Sequence, residues 1–103
     1  MAATTLPPPV KQRKQRTKPR QAPRYRVLFH NDEITTMDFV IGVLRRFFNH
    51  DLVTATKIML EVHYKGVGLA GTYPLEIAEL KQQQTISAAR PNFPLTVTIE
   101  PED

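Results

Sequence analysis

Cysteine and tryptophan are both absent from this chain of 103 residues, and glycine occurs only four times. Without cysteine there is no disulfide framework and no thiolate metal site. No apolar run approaches the roughly 18 residues that span a bilayer, and the N-terminus lacks the apolar core of a secretory signal. A soluble, cytoplasmic protein of one domain is the default reading. Catalytic signatures are missing as well: there is no G-x-S-x-G, no P-loop and no H-E-x-x-H. His30, His50 and His63 do not show metal-ligand spacing. Asp32 and Glu33 are neighbours, so a special backbone would be needed for them to face one substrate as an acid–base pair. The expectation is a protein that is not an enzyme and holds no metal or cofactor.

Charge is unevenly spread. Residues 1–24 carry seven Lys/Arg and no acid, a net of +7, and five of the nine prolines. The remaining residues carry seven Lys/Arg against ten Asp/Glu, a net of −3. The basic character belongs to the leading segment and not to the fold. So little apolar surface cannot offset the entropy of ordering, so residues 1–24 are expected to be a disordered extension. "KQRKQRTKPR" reads either as a nucleic-acid arm or as a solvated leader. No aromatic residues interleave with its charges.

The folded part, residues 25–103, opens with "YRVLFH", a strand pattern. Thr35-Thr36-Met37-Asp38 fits a capping box with Thr35 as the N-cap. A helix then follows to about Phe48, with an apolar stripe at Met37, Val40, Ile41, Leu44, Phe47 and Phe48. Asp51 suits the N-cap of a second helix that runs to about Tyr64. Its apolar face is Leu52, Ala55, Met59 and Val62, and Gly66 is placed to end it in the left-handed conformation. "VGLAGTY" reads as a short strand. Pro74 suits the first turn of a third helix, to about Arg90, with Ile77, Leu80 and Ile86 inward. "LTVTIE" is the last strand. The order β-α-α-β-α-β predicts a compact α+β domain, three helices on one face of a small three-stranded sheet.

Between the first strand and first helix stand Asn31, Asp32 and Glu33, a cluster rich in acceptor oxygens. Such a cluster is costly without a cation or a row of N–H donors nearby. His63 lies four residues after Met59, on the same helix face. Taken singly, His63 reads as a partly buried histidine donating to a backbone carbonyl, and Met37, Val40 and Met59 as plain core. Taken together, the polar groups and the apolar ones describe a site for a ligand with one cationic, hydrogen-bonding end and one hydrophobic end.

"NDEITTMDFVIGVLRRFF", "ATKIMLEVHYKG" and "FPLTVTIE" strongly resemble ClpS, the adaptor of the Clp protease. That family carries N-D-[DE]-x-T-x-M-[DE]-F-V, then M-x-x-V-H-x-x-G, then P-L near the last strand. The match spans nearly all of residues 25–103. The resemblance implies a receptor for proteins whose first residue is Leu, Phe, Tyr or Trp (an N-degron), which it hands to a Clp AAA+ unfoldase of the ClpA or ClpC type. By motif, Asn31, Asp32 and His63 would hold the free α-amino group, with Glu33 at the rim. Thr35, Met37, Val40, Met59, Val62 and Leu95 would form the side-chain pocket. Glu76 and Lys81 fall where the family contacts the unfoldase N-terminal domain. Three positions depart from the pattern: Glu33 replaces the commoner Asp, Ile34 a frequent Tyr at the pocket mouth, and Pro74 a capping Ser/Thr. The alternative is a nucleic-acid or ribosome-associated protein. It rests on the basic segment and on similarity of the ClpS architecture to the C-terminal domain of the ribosomal stalk protein.

Overall fold

The computed structural model of the chain describes residues 22–103. The expected disordered extension falls almost wholly on residues 1–21, which lie outside them. Six elements follow in the expected order: β1 (Arg24–His30), α1 (Met37–Arg46), α2 (Leu52–Lys65), β2 (Val67–Pro74), α3 (Leu75–Ala89) and β3 (Thr96–Pro101). Arg24, assigned from sequence to the extension, is already the first residue of β1 and pairs with Pro74.

The sheet has the order β2-β1-β3, with both pairings antiparallel. Alternation sends Val27 and Phe29 of the central strand inward, both fully buried. They meet Val43 and Leu44 of α1, Ala55, Met59 and Val62 of α2, and Leu95 and Val97 near β3, in one core. The Phe29 and Phe48 rings pack edge to face, with centroids 5.4 Å apart.

Two local features seat α2 against the sheet. Gly66 ends the helix at φ 88°, and its N–H donates to the Val62 carbonyl at 3.0 Å. Gly68 then passes so close beneath α2 that a Cβ there would lie 2.6 Å from Val62 Cγ2 and 3.2 Å from the Ile58 carbonyl oxygen. A side chain at position 68 would push helix and strand apart.

The helix boundaries and faces differ from the sequence expectation in four places. The N-cap of α1 is Thr36, whose hydroxyl accepts from Phe39 N–H at 3.1 Å, and not Thr35. The Thr35 N–H and hydroxyl are both committed to Asp32, which leaves the next residue to cap. Helix α1 stops at Arg46, two residues early, where Lys81 Nζ reaches the Phe47 carbonyl at 2.6 Å. The inward face of α3 is Ala78, Thr85 and Ala89, while Ile77 and Leu80 are 42% and 51% exposed. Small residues let α3 lie close to the sheet, and that turns its larger apolar side chains outward. Leu52, expected on the buried face of α2, is likewise exposed at 53%.

Candidate functional site

The loop from Asn31 to Thr36 leaves the end of β1 and enters α1 beside the last turns of α2. Its start is tied down by the Asn31 N–H, which donates to the Gly66 carbonyl at 2.9 Å. Asp32 organises the rest. Its Oδ1 accepts from the N–H groups of Ile34 at 2.8 Å and Thr35 at 2.7 Å, and its Oδ2 accepts from the Thr35 hydroxyl at 2.7 Å. A carboxylate bonded to its own following backbone is an efficient way to hold a tight polar turn.

Those bonds also settle the charge of Asp32. Partial burial pushes its carboxyl up. The Thr35 N–H and hydroxyl, the Ile34 N–H and the charge of Arg90 together outweigh burial and hold it below the ordinary aspartate value. Asp32 is therefore anionic at neutral pH, in a fixed orientation, with lone pairs still open to a further donor.

Beside the turn is a hollow of about 480 Å³ lined by Asn31, Asp32, Glu33, Ile34, Thr35, Thr36, Met37, Met59, Val62 and His63. Met59 and Val62, 7% and 3% exposed, bring the apolar surface of α2 into it. The loop supplies acceptors, and His63 is exposed in the last turns of α2. The hollow thus joins a polar, negatively charged wall to an apolar one. The histidine that meets a backbone carbonyl is His50, whose Nε2 lies 2.6 Å from the Ala70 oxygen and so donates to it.

Of the residues expected here, Asn31, Asp32, Glu33, Thr35, Met37, Met59, Val62 and His63 come together around one space. Val40 and Leu95, also expected in the pocket wall, lie in the core at 5% and 1% exposure. Thr36 lines the hollow without having been expected to; its signal was its place between Thr35 and Met37 at the start of α1. Glu76 is exposed in the first turn of α3. Lys81 is half-buried, its ammonium held by the Phe47 carbonyl and 5.7 Å from the centroid of the Tyr73 ring. Among the described residues, no three His, Asp or Glu side chains come together as a metal site, and no helix is long and apolar enough to cross a membrane.

Comparison with known proteins gives one consistent result. Residues 20–98 match the family model described as ATP-dependent Clp protease adaptor protein ClpS. The chain is 50% identical over 88 residues to the ATP-dependent Clp protease adapter protein ClpS of Desulfatibacillum aliphaticivorans, covering 84% of this chain and 85% of that one. It is 43% identical over 95 residues to the protein of the same name from Campylobacter jejuni, covering 91% and 99%. Its structure is similar to that of Agrobacterium tumefaciens ClpS2 bound to L-phenylalaninamide, with a TM-score of 0.76 and 30% identity, over 80% of this chain and all of the other.

Proposed function

The chain belongs to the ClpS family of Clp protease adaptor proteins, and from that premise we propose that it captures proteins with a bulky hydrophobic first residue and delivers them to a Clp unfoldase. The observation that carries the reading is the pairing of the anionic Asp32 turn with the apolar Met59 and Val62 wall across one hollow. A protein N-terminus is the complementary ligand. Its α-amino group has a pKa of roughly 7.7–8.0, so at neutral pH it is mostly a cation with three N–H donors. The L-phenylalaninamide bound by the Agrobacterium relative has the same two parts, a free α-amino group and a large apolar side chain.

In this reading Asn31 and Asp32 accept from the ammonium, directly or through water, and a His63 ring nitrogen completes the set. Met37, Met59 and Val62 take the side chain. Each charge-assisted hydrogen bond contributes about 1.5–3 kcal/mol net, and burying a Leu or Phe side chain contributes a further 1.5–3 kcal/mol or so. After the costs of association, an affinity on the order of micromolar follows. That suits an adaptor that must let go of its cargo. The protein works by binding and carries out no bond-making step of its own.

Delivery requires a second contact. The exposed Glu76 is a better candidate than Lys81 for touching the unfoldase, because the Lys81 ammonium is already engaged within the fold. The basic segment ahead of β1 is the natural handle for the unfoldase, since roughly 20 residues can extend by about 3.3–3.6 Å each. The nucleic-acid alternative draws on the same segment. Arg24, the one cation of residues 1–24 that is described, belongs to β1, donates to the Thr72 carbonyl and faces Glu102 at 3.7 Å.

The test is fluorescence anisotropy with peptides that begin with Leu, Phe, Tyr or Trp against ones that begin with Ala or Gly. A degradation assay with a Leu-initiated reporter, cognate unfoldase and peptidase then follows. Binding that discriminates by first residue and degradation that depends on the adaptor support the proposal. Salt-sensitive RNA binding without peptide discrimination sinks it.

A further inference from the structure

Ile34 stands at the edge of the hollow. It is the most exposed of the large apolar residues lining the hollow, at 62%, against 44% for Met37 and below 10% for Met59 and Val62. Its main chain is fixed, because its N–H donates to Asp32 Oδ1 at 2.8 Å. A lone exposed isoleucine is ordinary on a protein surface. This one stands on a pinned turn at the edge of a binding hollow, directly between Glu33 and Thr35.

We infer that Ile34 is a contact for the side chain of the substrate's second residue, so that the protein reads two positions and not one. The inference rests on the proposed function, which puts the first residue's ammonium at Asn31 and Asp32 and its side chain against Met59 and Val62. The second Cα is then about 3.8 Å from the first. Successive side chains of an extended chain point to opposite sides. The second side chain therefore cannot follow the first inward and lies at the mouth, where only exposed groups can meet it. Glu33 and Thr36 offer polar surface there; Ile34 offers a branched apolar side chain that is 62% exposed. An apolar second residue covers that side chain, and glycine leaves it in water.

The experiment compares two peptides, Phe-Leu and Phe-Gly at positions one and two with the remainder identical, against the full-length protein and Ile34→Ala. N-acetylated versions of both serve as controls. The wild type should bind Phe-Leu about five- to tenfold more tightly than Phe-Gly, the equivalent of covering part of one aliphatic side chain. In Ile34→Ala the loss for Phe-Leu should exceed the loss for Phe-Gly by about fivefold. Circular dichroism should show the variant folded, as expected for so exposed a position. Equal losses for both peptides, or a wild type indifferent to the second residue, overturn the role of Ile34 while leaving the pocket reading intact. Free and acetylated peptides binding alike overturn the pocket reading and this inference with it.

Discussion

Asp32→Asn separates the two jobs assigned to one carboxylate. The side chain holds the turn through three hydrogen bonds and is expected to attract the substrate's ammonium. The Asn oxygen can keep accepting from the Ile34 and Thr35 N–H groups. The Asn NH2, in place of Oδ2, can donate to the Thr35 hydroxyl, which today donates to Asp32 at 2.7 Å. The turn should keep its geometry but lose stability, by about 1 kcal/mol or more, because its hydrogen bonds are no longer charge-assisted. The charge does not survive. A charge-assisted hydrogen bond contributes about 1.5–3 kcal/mol net and a neutral one about 0.5–1.5. The variant should therefore lose about 1–1.5 kcal/mol of binding, roughly five- to twelvefold in Kd for a Phe-initiated peptide. Anisotropy titration measures the affinity and urea denaturation the stability. Removing the charge from the other side, by N-acetylation of the peptide, should cost at least roughly tenfold. With the acetylated peptide, Asp32→Asn should cost little more, because the pair being tested is already broken. An Asn variant of unchanged stability and unchanged affinity would refute the assignment. Asp32→Ala is the less informative change: it removes all three turn bonds at about 1 kcal/mol each, so its binding loss mixes both effects.

Other perturbations test neighbouring parts of the argument. Met37→Ala should admit Ile and Val as first residues by relieving contact at the branched Cβ, with only a small stability loss because Met37 is 44% exposed; an unchanged specificity panel would remove it as the gatekeeper. Gly68→Ala should destabilise the fold by about 1–3 kcal/mol in urea and weaken Phe-peptide binding, since the new Cβ meets Val62 and the α2 backbone; wild-type stability would show that α2 can move off the sheet freely. Because the Asp32 carboxyl is depressed in the folded state, its contribution to stability is present above the ordinary aspartate value of 3.8 and is lost as pH falls through the lower folded value. Peptide affinity should instead decline above about pH 8, as the ligand's amine loses its proton; titrations across pH 6–9 check this. Deleting residues 1–21 should leave peptide affinity nearly constant, as the hollow is built from residues 31–63, while abolishing reporter degradation at matched occupancy; undiminished degradation would end the delivery role.

The elements and their order could be read from the sequence because their signals are local. Asp51 caps α2 through the Thr54 N–H at 2.9 Å, and Gly66 ends it, as the residue types require. The α1 cap lies one residue beyond the expected Thr35 because a second local pattern, the Asp32 turn, competes with the capping box. Thr35 and Thr36 are both good caps, and which one serves depends on Asp32 having already taken the Thr35 hydroxyl. The buried face of α3 does not follow hydrophobic size. Ala78 and Ala89 face inward since the sheet is close, and that distance is set by tertiary packing. Val40 and Leu95 are about as deeply buried as Met59 and Val62, so neither burial nor periodicity by itself separates pocket wall from core.

The acceptor cluster itself was legible as a cost before it was legible as a structure. Three adjacent groups rich in oxygen invite repulsion and desolvation unless donors are supplied. The fold supplies them unevenly: the Asp32 oxygens take two backbone N–H groups and a hydroxyl, whereas Glu33 stays exposed at the rim. The consequence is pre-organisation. Asp32 pays for its orientation during folding, in turn hydrogen bonds, so a ligand arriving at the hollow meets a carboxylate that need not be ordered again. The same arrangement limits how tightly it can bind. Lone pairs committed to the turn are not available to the ammonium, and the carboxylate they hold down is a weaker base than a free one. A site built this way trades peak affinity for a ready geometry, which is the combination that the proposed function asks of a receptor that releases its cargo.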